Sequence, residues 1–331
     1  MRNLSETMQI SRRDFLAGVS ATAGAALART LPAAGGEAEA SVLHSPFRVS
    51  VINDEISQDF GRSCEVAARQ FGMRWIELRG MWQKNIVSLD ATEIAEAQRI
   101  LKKYELRFTD IASPLFKVAW KEDPRAKEKP SDDFHASFTF DQQGEVLERS
   151  LELAKAFQTD RVRCFDFFRL DNPAPYREAI NETLRSAAGK AGNKGIILLL
   201  ENDGGLNTST GAEAAQVLRA VESPHLMLNW DPGNAAANGE KAYPDGYNLL
   251  PKDRIGHCHC KDVVKLGKDY DWAAMGTGIV DWLGQFQALK RDGYHFAVSL
   301  ETHWEGGGTP EKSSRQSWTG MKKLLQEAGA L

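Results

Sequence analysis

From Phe47 onward the chain alternates short apolar or β-branched runs with longer stretches of helical period, eight times over. The spacing predicts strands over Val49–Asn53, Trp75–Arg79, Arg107–Ala112, Arg161–Phe165, Ile196–Glu201, Leu226–Asp231, Ile255–His259 and Phe296–Glu301. Amphipathic segments between them, such as Ser63–Phe71, Ala91–Tyr104, Glu145–Phe157, Tyr176–Ala191, Ala212–Val221 and Trp282–Arg291, predict helices, and Ser313–Glu327 closes the chain. Strict strand-helix alternation requires a parallel sheet covered by helices. Eight units in about 285 residues fit a closed (β/α)8 TIM barrel, a single α/β domain, better than an open doubly wound sheet. An open nucleotide-binding sheet would also place a G-x-G-x-x-G turn after its first strand, where this chain has Asn53-Asp54-Glu55-Ile56-Ser57.

With 42% apolar and 26% charged residues, the chain has the composition of a packed globular domain. Its net charge of −4 supplies no positive field for a polyanion, which argues against nucleic acid as a partner. Cys64, Cys164, Cys258 and Cys260 are too few and too scattered for a disulfide framework.

The N-terminus reads as an address. Ser11-Arg12-Arg13-Asp14-Phe15-Leu16 precedes an Ala- and Gly-rich apolar run that ends at Ala28, the pattern of a twin-arginine export signal. Residues 1–28 are therefore expected to be a signal peptide, 29–46 a linker and 47–331 the barrel. The expected partner is the twin-arginine export machinery, and the expected location is the periplasm or the medium.

In a barrel of this kind the active site lies at the C-terminal ends of the strands. The fifth predicted strand ends in Glu201, the sixth in Asp231, the seventh in His259 and the eighth in Glu301. Three carboxylates and one imidazole converging on a partly dry point repel one another unless a cation sits among them. The set suits Mn²⁺ first, with Mg²⁺, Co²⁺ or Zn²⁺ also compatible. Side-chain alternation puts Ala297 and Ser299 inward below Glu301, and His257 one layer below His259. Glu77 and Arg79 share the inward parity of the second strand and read either as substrate contacts or as an internal Glu-Arg brace. Lys261 reads either as a donor to a substrate oxygen or as an ion-pair partner of Asp262 or another acid. His257 reads as a substrate neighbour or a core histidine. Cys258 and Cys260 are expected to face the helices. Trp82, Trp120, Trp272 and Trp304 fall in loops on the active face, and the long segment from Pro114 to Asp141, with its charge-rich stretch Lys121–Asp133, reads as a lid or an oligomer contact.

Trp75-Ile76-Glu77-Leu78-Arg79, Leu200-Glu201-Asn202, Trp230-Asp231-Pro232-Gly233-Asn234, His257-x-His259-x-Lys261-Asp262, Gly276-Thr277-Gly278-Ile279-Val280-Asp281-Trp282 and Ser299-Leu300-Glu301 together resemble the xylose isomerase-like TIM-barrel group, often labelled sugar phosphate isomerase/epimerase. For its ketose 3-epimerase branch, the resemblance implies Glu201, Asp231, His259 and Glu301 as metal ligands, and Glu201 and Glu301 as the acid/base pair. It also directs attention to Asn207, where those enzymes have a glutamate, and to Asn234, where they have a histidine; with Glu77, Arg79, His257 and Lys261 these are the candidate substrate-binding residues.

Such a site suits removal of a proton next to a carbonyl, which leads to epimerisation, isomerisation or elimination. The expected activity is that of a divalent-metal-dependent sugar isomerase or epimerase acting on a carbohydrate. The alternatives are a lyase or dehydratase of keto-sugars, keto-glycosides or inososes, and a sugar-binding barrel without catalysis. A phosphodiester hydrolase on the same barrel is disfavoured by the negative charge and the scarcity of strand-end histidines. A homo-oligomer is compatible with the sequence.

Overall fold

The computed structural model describes residues 40–127 and 135–331. The signal-peptide reading of 1–28, most of the linker and part of the charge-rich stretch after Lys121 lie outside the described residues.

The barrel strands are β1 (Arg48–Val51), β2 (Trp75–Leu78), β3 (Arg107–Leu115), β4 (Arg161–Cys164), β5 (Ile197–Glu201), β6 (Leu226–Trp230), β7 (Ile255–Cys260) and β8 (Ala297–Leu300). Neighbours from β2 through β8 pair in parallel, and β8 pairs with β1. Between β1 and β2 the ladder shrinks to one parallel bridge, Ile52 to Glu77, so the barrel is nearly closed. The expected α/β barrel is therefore the observed one.

The covering helices are α1 (Phe60–Glu65), α2 (Ala91–Tyr104), α3 (Gln143–Ala156), α4 (Arg177–Gly192), α5 (Gly211–Ala220), α6 (Pro232–Ala237), α7 (Trp282–Arg291) and α8 (Pro310–Glu327). Side-chain oxygens set most of their starts. Asp90 and Glu93 form a reciprocal capping box on α2, Thr210 caps α5, Asp281 caps α7 and Thr309 caps α8. None of the described helices is long and apolar enough to cross a membrane.

The structure departs from simple alternation in three places. The β6-to-β7 connection holds α6 and three further short helical pieces, Ala242–Gly246, Tyr247–Leu249 and Lys252–Arg254, in place of one long helix. Two hairpins rise from strand ends, Gly80–Met81 with Lys84–Asn85 and Asp262–Leu266 with Asp269–Ala273. Strand β3 runs on to Leu115, so the long segment after it begins at Phe116. The last residues of the expected linker pack on the domain: Ala40 N–H donates to Arg69 O at 2.7 Å and Leu43 N–H to Gly72 O at 3.0 Å.

Leu198, Leu200, Leu226, Leu228, Cys258, Cys260, Val298 and Leu300 are fully buried in the apolar core, which places the two strand-β7 cysteines as expected. The register puts Ala297 beside His257 and Ser299 beside His259, so small residues flank each imidazole. The barrel interior is instead polar. Ser50, Glu77, Asp110, Asn229, His257, His259 and Ser299 are all completely buried, a concentration of desolvated polar groups that a purely structural core avoids.

Candidate metal centre

Strands β5 to β8 are consecutive in the barrel, so their C-terminal ends are neighbours. Glu201 is the last residue of β5, Asp231 follows β6, His259 is the penultimate residue of β7 and Glu301 follows β8. One ligand atom from each lies within 4.8 Å of the other three. His259 Nδ1 is 3.2 Å from Glu201 Oε1, 3.1 Å from Glu301 Oε2 and 3.9 Å from Asp231 Oδ2.

Local structure fixes each donor. Asp231 Oδ1 caps α6 by accepting Asn234 N–H at 2.8 Å, while the Asp231 backbone is clamped by Asn202, whose Oδ1 accepts its N–H and whose Nδ2 donates to its carbonyl, both at 2.9 Å. Asp231 Oδ2 accepts no hydrogen bond of good geometry and faces the other donors. Asn234 Nδ2 donates to Asn202 O at 2.8 Å and reaches Glu201 Oε1 at 3.5 Å.

Below this layer lies a second one. Glu77 Oε1 is 2.9 Å from His259 Nε2, and Glu77 Oε2 is 3.1 Å from His257 Nε2. His257 Nδ1 lies 3.4 Å from Asp110 Oδ1. The Nε2 side of His259 faces an acceptor, so when the ring loses a proton the remaining one belongs on Nε2 and Nδ1 is the nitrogen turned to the cluster. Glu201 Oε2 meets Arg163 at 3.1 Å, and Glu301 Oε1 meets Arg79 at 2.9 Å. Each glutamate therefore turns one oxygen to the cluster and the other to an arginine.

Burial raises the cost of ionising Glu201, but His259 and Arg163 more than offset it and hold the group at about 2. The same contest leaves Glu301 well below the carboxylate range, with Lys261 and His259 as the opposing cations. Burial wins at Asp231, which is pushed up to about 6 despite Lys261. Burial lowers His259, yet Glu77, Glu201 and Glu301 raise it well above an ordinary imidazole. Three ionised oxygens and one imidazole nitrogen within a few ångströms, one oxygen lacking a hydrogen bond, fit a hard or borderline divalent cation.

The structure brings Lys261 into this cluster. Its Nζ is 2.6 Å from Glu301 Oε2 and 2.9 Å from Asp231 Oδ2, the latter outside hydrogen-bond geometry. It approaches over Gly233, where a Cβ would meet Lys261 Cγ at 2.6 Å. Of the ion pairs open to Lys261, the one with another acid, Glu301, forms, and the one with Asp262 does not, because Asp262 accepts the backbone N–H groups of Val263, Gly276, Gly278 and Val280.

Of the alternatives for strand β2, the internal brace does not form: Arg79 donates to Asp54, Glu55 and Glu301 in place of Glu77, and Glu77 is completely buried against the two histidines. Asn207 is not brought to the cluster: its Nδ2 donates to the carbonyls of Asp166, Phe167 and Phe168, and its Oδ1 accepts Leu170 N–H. Trp120 is buried against Phe140 and Phe167 in the segments that follow β3 and β4. Trp272 lies on the second hairpin, 5.0 Å from Lys261 Nζ and 5.4 Å from the His303 ring.

Arg163, Asp110, Asn202 and His303 were not singled out for the site from the sequence. Arg163 carried a signal, since it shares a parity with Arg161 in a strand whose interior is enclosed. His303 Nε2 lies 3.1 Å from Glu301 Oε1 and 3.9 Å from Glu55 Oε1.

Residues 66–324 match the family described as Xylose isomerase-like TIM barrel. No curated protein matches the chain. Among solved structures, the chain is similar to the probable 3-DHS dehydratase AsbF of Bacillus anthracis, with 18% identity and a TM-score of 0.65 over 84% of this chain and 99% of that one. It is similar to the D-allulose 3-epimerase of a Methylomonas species in complex with D-allulose, with 19% identity and a TM-score of 0.60 over 87% and 99%. It also resembles the IOLI protein with a bound zinc atom, with 14% identity and a TM-score of 0.64 over 86% and 98%. At these identities the likenesses show the shared barrel. The chain belongs to the xylose isomerase-like TIM barrel family.

Proposed function

We propose that the protein is a divalent-metal-dependent isomerase or epimerase of a sugar or sugar derivative, working by proton abstraction next to a carbonyl. The observation that carries this reading is the convergence of Glu201, Asp231, His259 and Glu301 within 4.8 Å. When bound, a divalent cation such as Mn²⁺ supplies Lewis acidity at the carbonyl oxygen. Glu201 and Glu301 are the acid/base pair, kept ionised at neutral pH by His259 and Arg163 at Glu201 and by Lys261 and His259 at Glu301. Asp231 and His259 complete the donor set, Lys261 donates toward substrate oxygen, and Asn234, beside Glu201, and Arg79, beside Glu301, are the polar neighbours of the pair.

Elimination from the same intermediate is the second reading, favoured by Lys261. An ammonium 2.6 Å from Glu301 is positioned to protonate a departing hydroxyl or alkoxide. The twin-arginine signal in 1–28 supports export of the folded protein, and periplasmic or extracellular action follows from that proposal.

Incubation with Mn²⁺ and a panel of free, phosphorylated and 3-keto sugars, followed by mass spectrometry and NMR, tests the proposal. Products of unchanged mass support isomerisation or epimerisation, and loss of water or an aglycone supports elimination. Binding without turnover of any member contradicts both and leaves a sugar-binding barrel.

A further inference from the structure

A recess lies beside the cluster, between the segments that follow β1 and β8. It encloses about 440 Å³ and is lined by Asp54, Glu55, His303, Trp304, Glu305 and Thr309, among others. That volume is in the range of small-molecule sites. It adjoins Glu301, because His303 Nε2 contacts Glu301 Oε1 at 3.1 Å and the His303 backbone N–H donates to Glu55 Oε2 at 3.1 Å. His303 holds this position with φ of +46°, a strained conformation for a β-carbon residue, which the neighbouring contacts enforce. The Trp304 indole is packed over Gly306, where a Cβ would overlap it, so the ring is set by the glycine run that follows.

The charge of this recess selects its occupant. Asp54, Glu55 and Glu305 are among its lining residues; Asp54 and Glu55 are ion-paired with Arg79, and Glu305 is exposed. Arg79 lies beneath with all three arms engaged, Nε on Asp54, Nη2 on Glu55 and Nη1 on Glu301. The α8 N-terminus also borders the recess and would attract an anion, but Thr309 already caps it by accepting Lys312 N–H, and Glu305 opposes a second negative charge. Carboxylates accept hydrogen bonds from neutral hydroxyls, and an indole face covers the C–H surface of a sugar ring.

We infer that this recess is a subsite for a second, uncharged sugar unit, so that the substrate is a glycoside or disaccharide whose reacting unit lies over the cluster. The inference rests on the proposed chemistry for where the reacting unit sits. It specifies against a phosphorylated sugar.

Calorimetric binding of D-fructose, lactulose and D-fructose 6-phosphate to the Mn²⁺-loaded protein tests it, alongside Trp304→Ala and Glu305→Lys. The expected result is lactulose binding at least about tenfold more tightly than D-fructose, and the phosphate ester more weakly than either. Trp304→Ala should collapse the lactulose advantage toward unity, and Glu305→Lys should narrow the discrimination against the phosphate ester. Equal affinity for lactulose and D-fructose, tighter binding of the phosphate ester, or no binding of any of the three, overturns the subsite. Deuterium uptake from D₂O on the same samples separates the two claims. Sugars that bind in the expected order without exchange contradict the proposed chemistry and leave the subsite standing.

Discussion

Glu77 of β2 and His259 of β7 meet across the barrel at 2.9 Å, each without solvent exposure, and the contact aims His259 Nδ1 at three carboxylates. Glu77 also receives His257, so one carboxylate orients two imidazoles. A buried carboxylate in this position sets both the tautomer and the basicity of a metal ligand.

Glu77→Gln should therefore weaken Mn²⁺ binding by about 10–100-fold while the fold is retained. Titration calorimetry measures the affinity, and the visible spectrum of the Co²⁺-loaded protein reports the ligand field at His259. A change in thermal stability alone, with affinity and spectrum unmoved, would make Glu77 a structural group.

Lys261 competes with a cation for Glu301 and Asp231. Removing its charge in Lys261→Met should tighten Mn²⁺ binding by about tenfold or more, since unit charges at such distances interact by several kcal/mol at a partly buried site. The same change should lower kcat by about 10²-fold or more through loss of the donor. Opposite signs for affinity and turnover are the signature to look for, and steady-state kinetics beside calorimetry reads both.

Metal affinity should rise with pH. Burial pushes Asp231 up to about 6, and the surrounding carboxylates keep His259 protonated well above the usual imidazole value. A divalent cation needs both groups deprotonated, so binding releases protons. Affinity should fall as pH drops through about 6 and keep rising above neutrality until His259 loses its proton. Calorimetry in buffers of different ionisation enthalpy counts the released protons directly.

Asp262 is a structural acid that resembles a site residue. It accepts four backbone N–H groups, from Val263, Gly276, Gly278 and Val280, and so holds the segment leading into α7. Asp262→Ala should destabilise the protein by about 2–4 kcal/mol, because buried donors lose a charged acceptor. Thermal unfolding followed by circular dichroism checks it, and the metal stoichiometry of the remaining folded protein should be unchanged.

The legible parts of the fold and the site share a physical reason. Glu201 ends a run of five apolar residues and Glu301 follows Val298-Ser299-Leu300, so a carboxylate at the end of an apolar strand stands out. Strand period then placed His257 below His259 and the cysteines on the outer side. Partner identity was not legible, because it depends on which strands face each other across the interior. Nothing local to Glu77 says that it meets β7 instead of Arg79 two residues away. The Asp262–Ala273 hairpin was hidden because its exposed turn at Gly267 and Lys268 reads as loop, although alternation in Asp269–Ala273 was present. Asn207 stands where the resembling enzymes have a glutamate, and its amide serves the backbone of 166–170.

The proposed activity depends on metal-assisted proton abstraction by Glu201 and Glu301. The most direct test is incorporation of deuterium from D₂O into a ketose or keto-glycoside, followed by NMR with and without Mn²⁺ and repeated with Glu201→Gln. The predicted result is exchange at the carbon next to the carbonyl that requires the metal and falls by about 10²-fold or more in the variant. Exchange that persists in Glu201→Gln, or its absence with a sugar that demonstrably binds, would contradict the account.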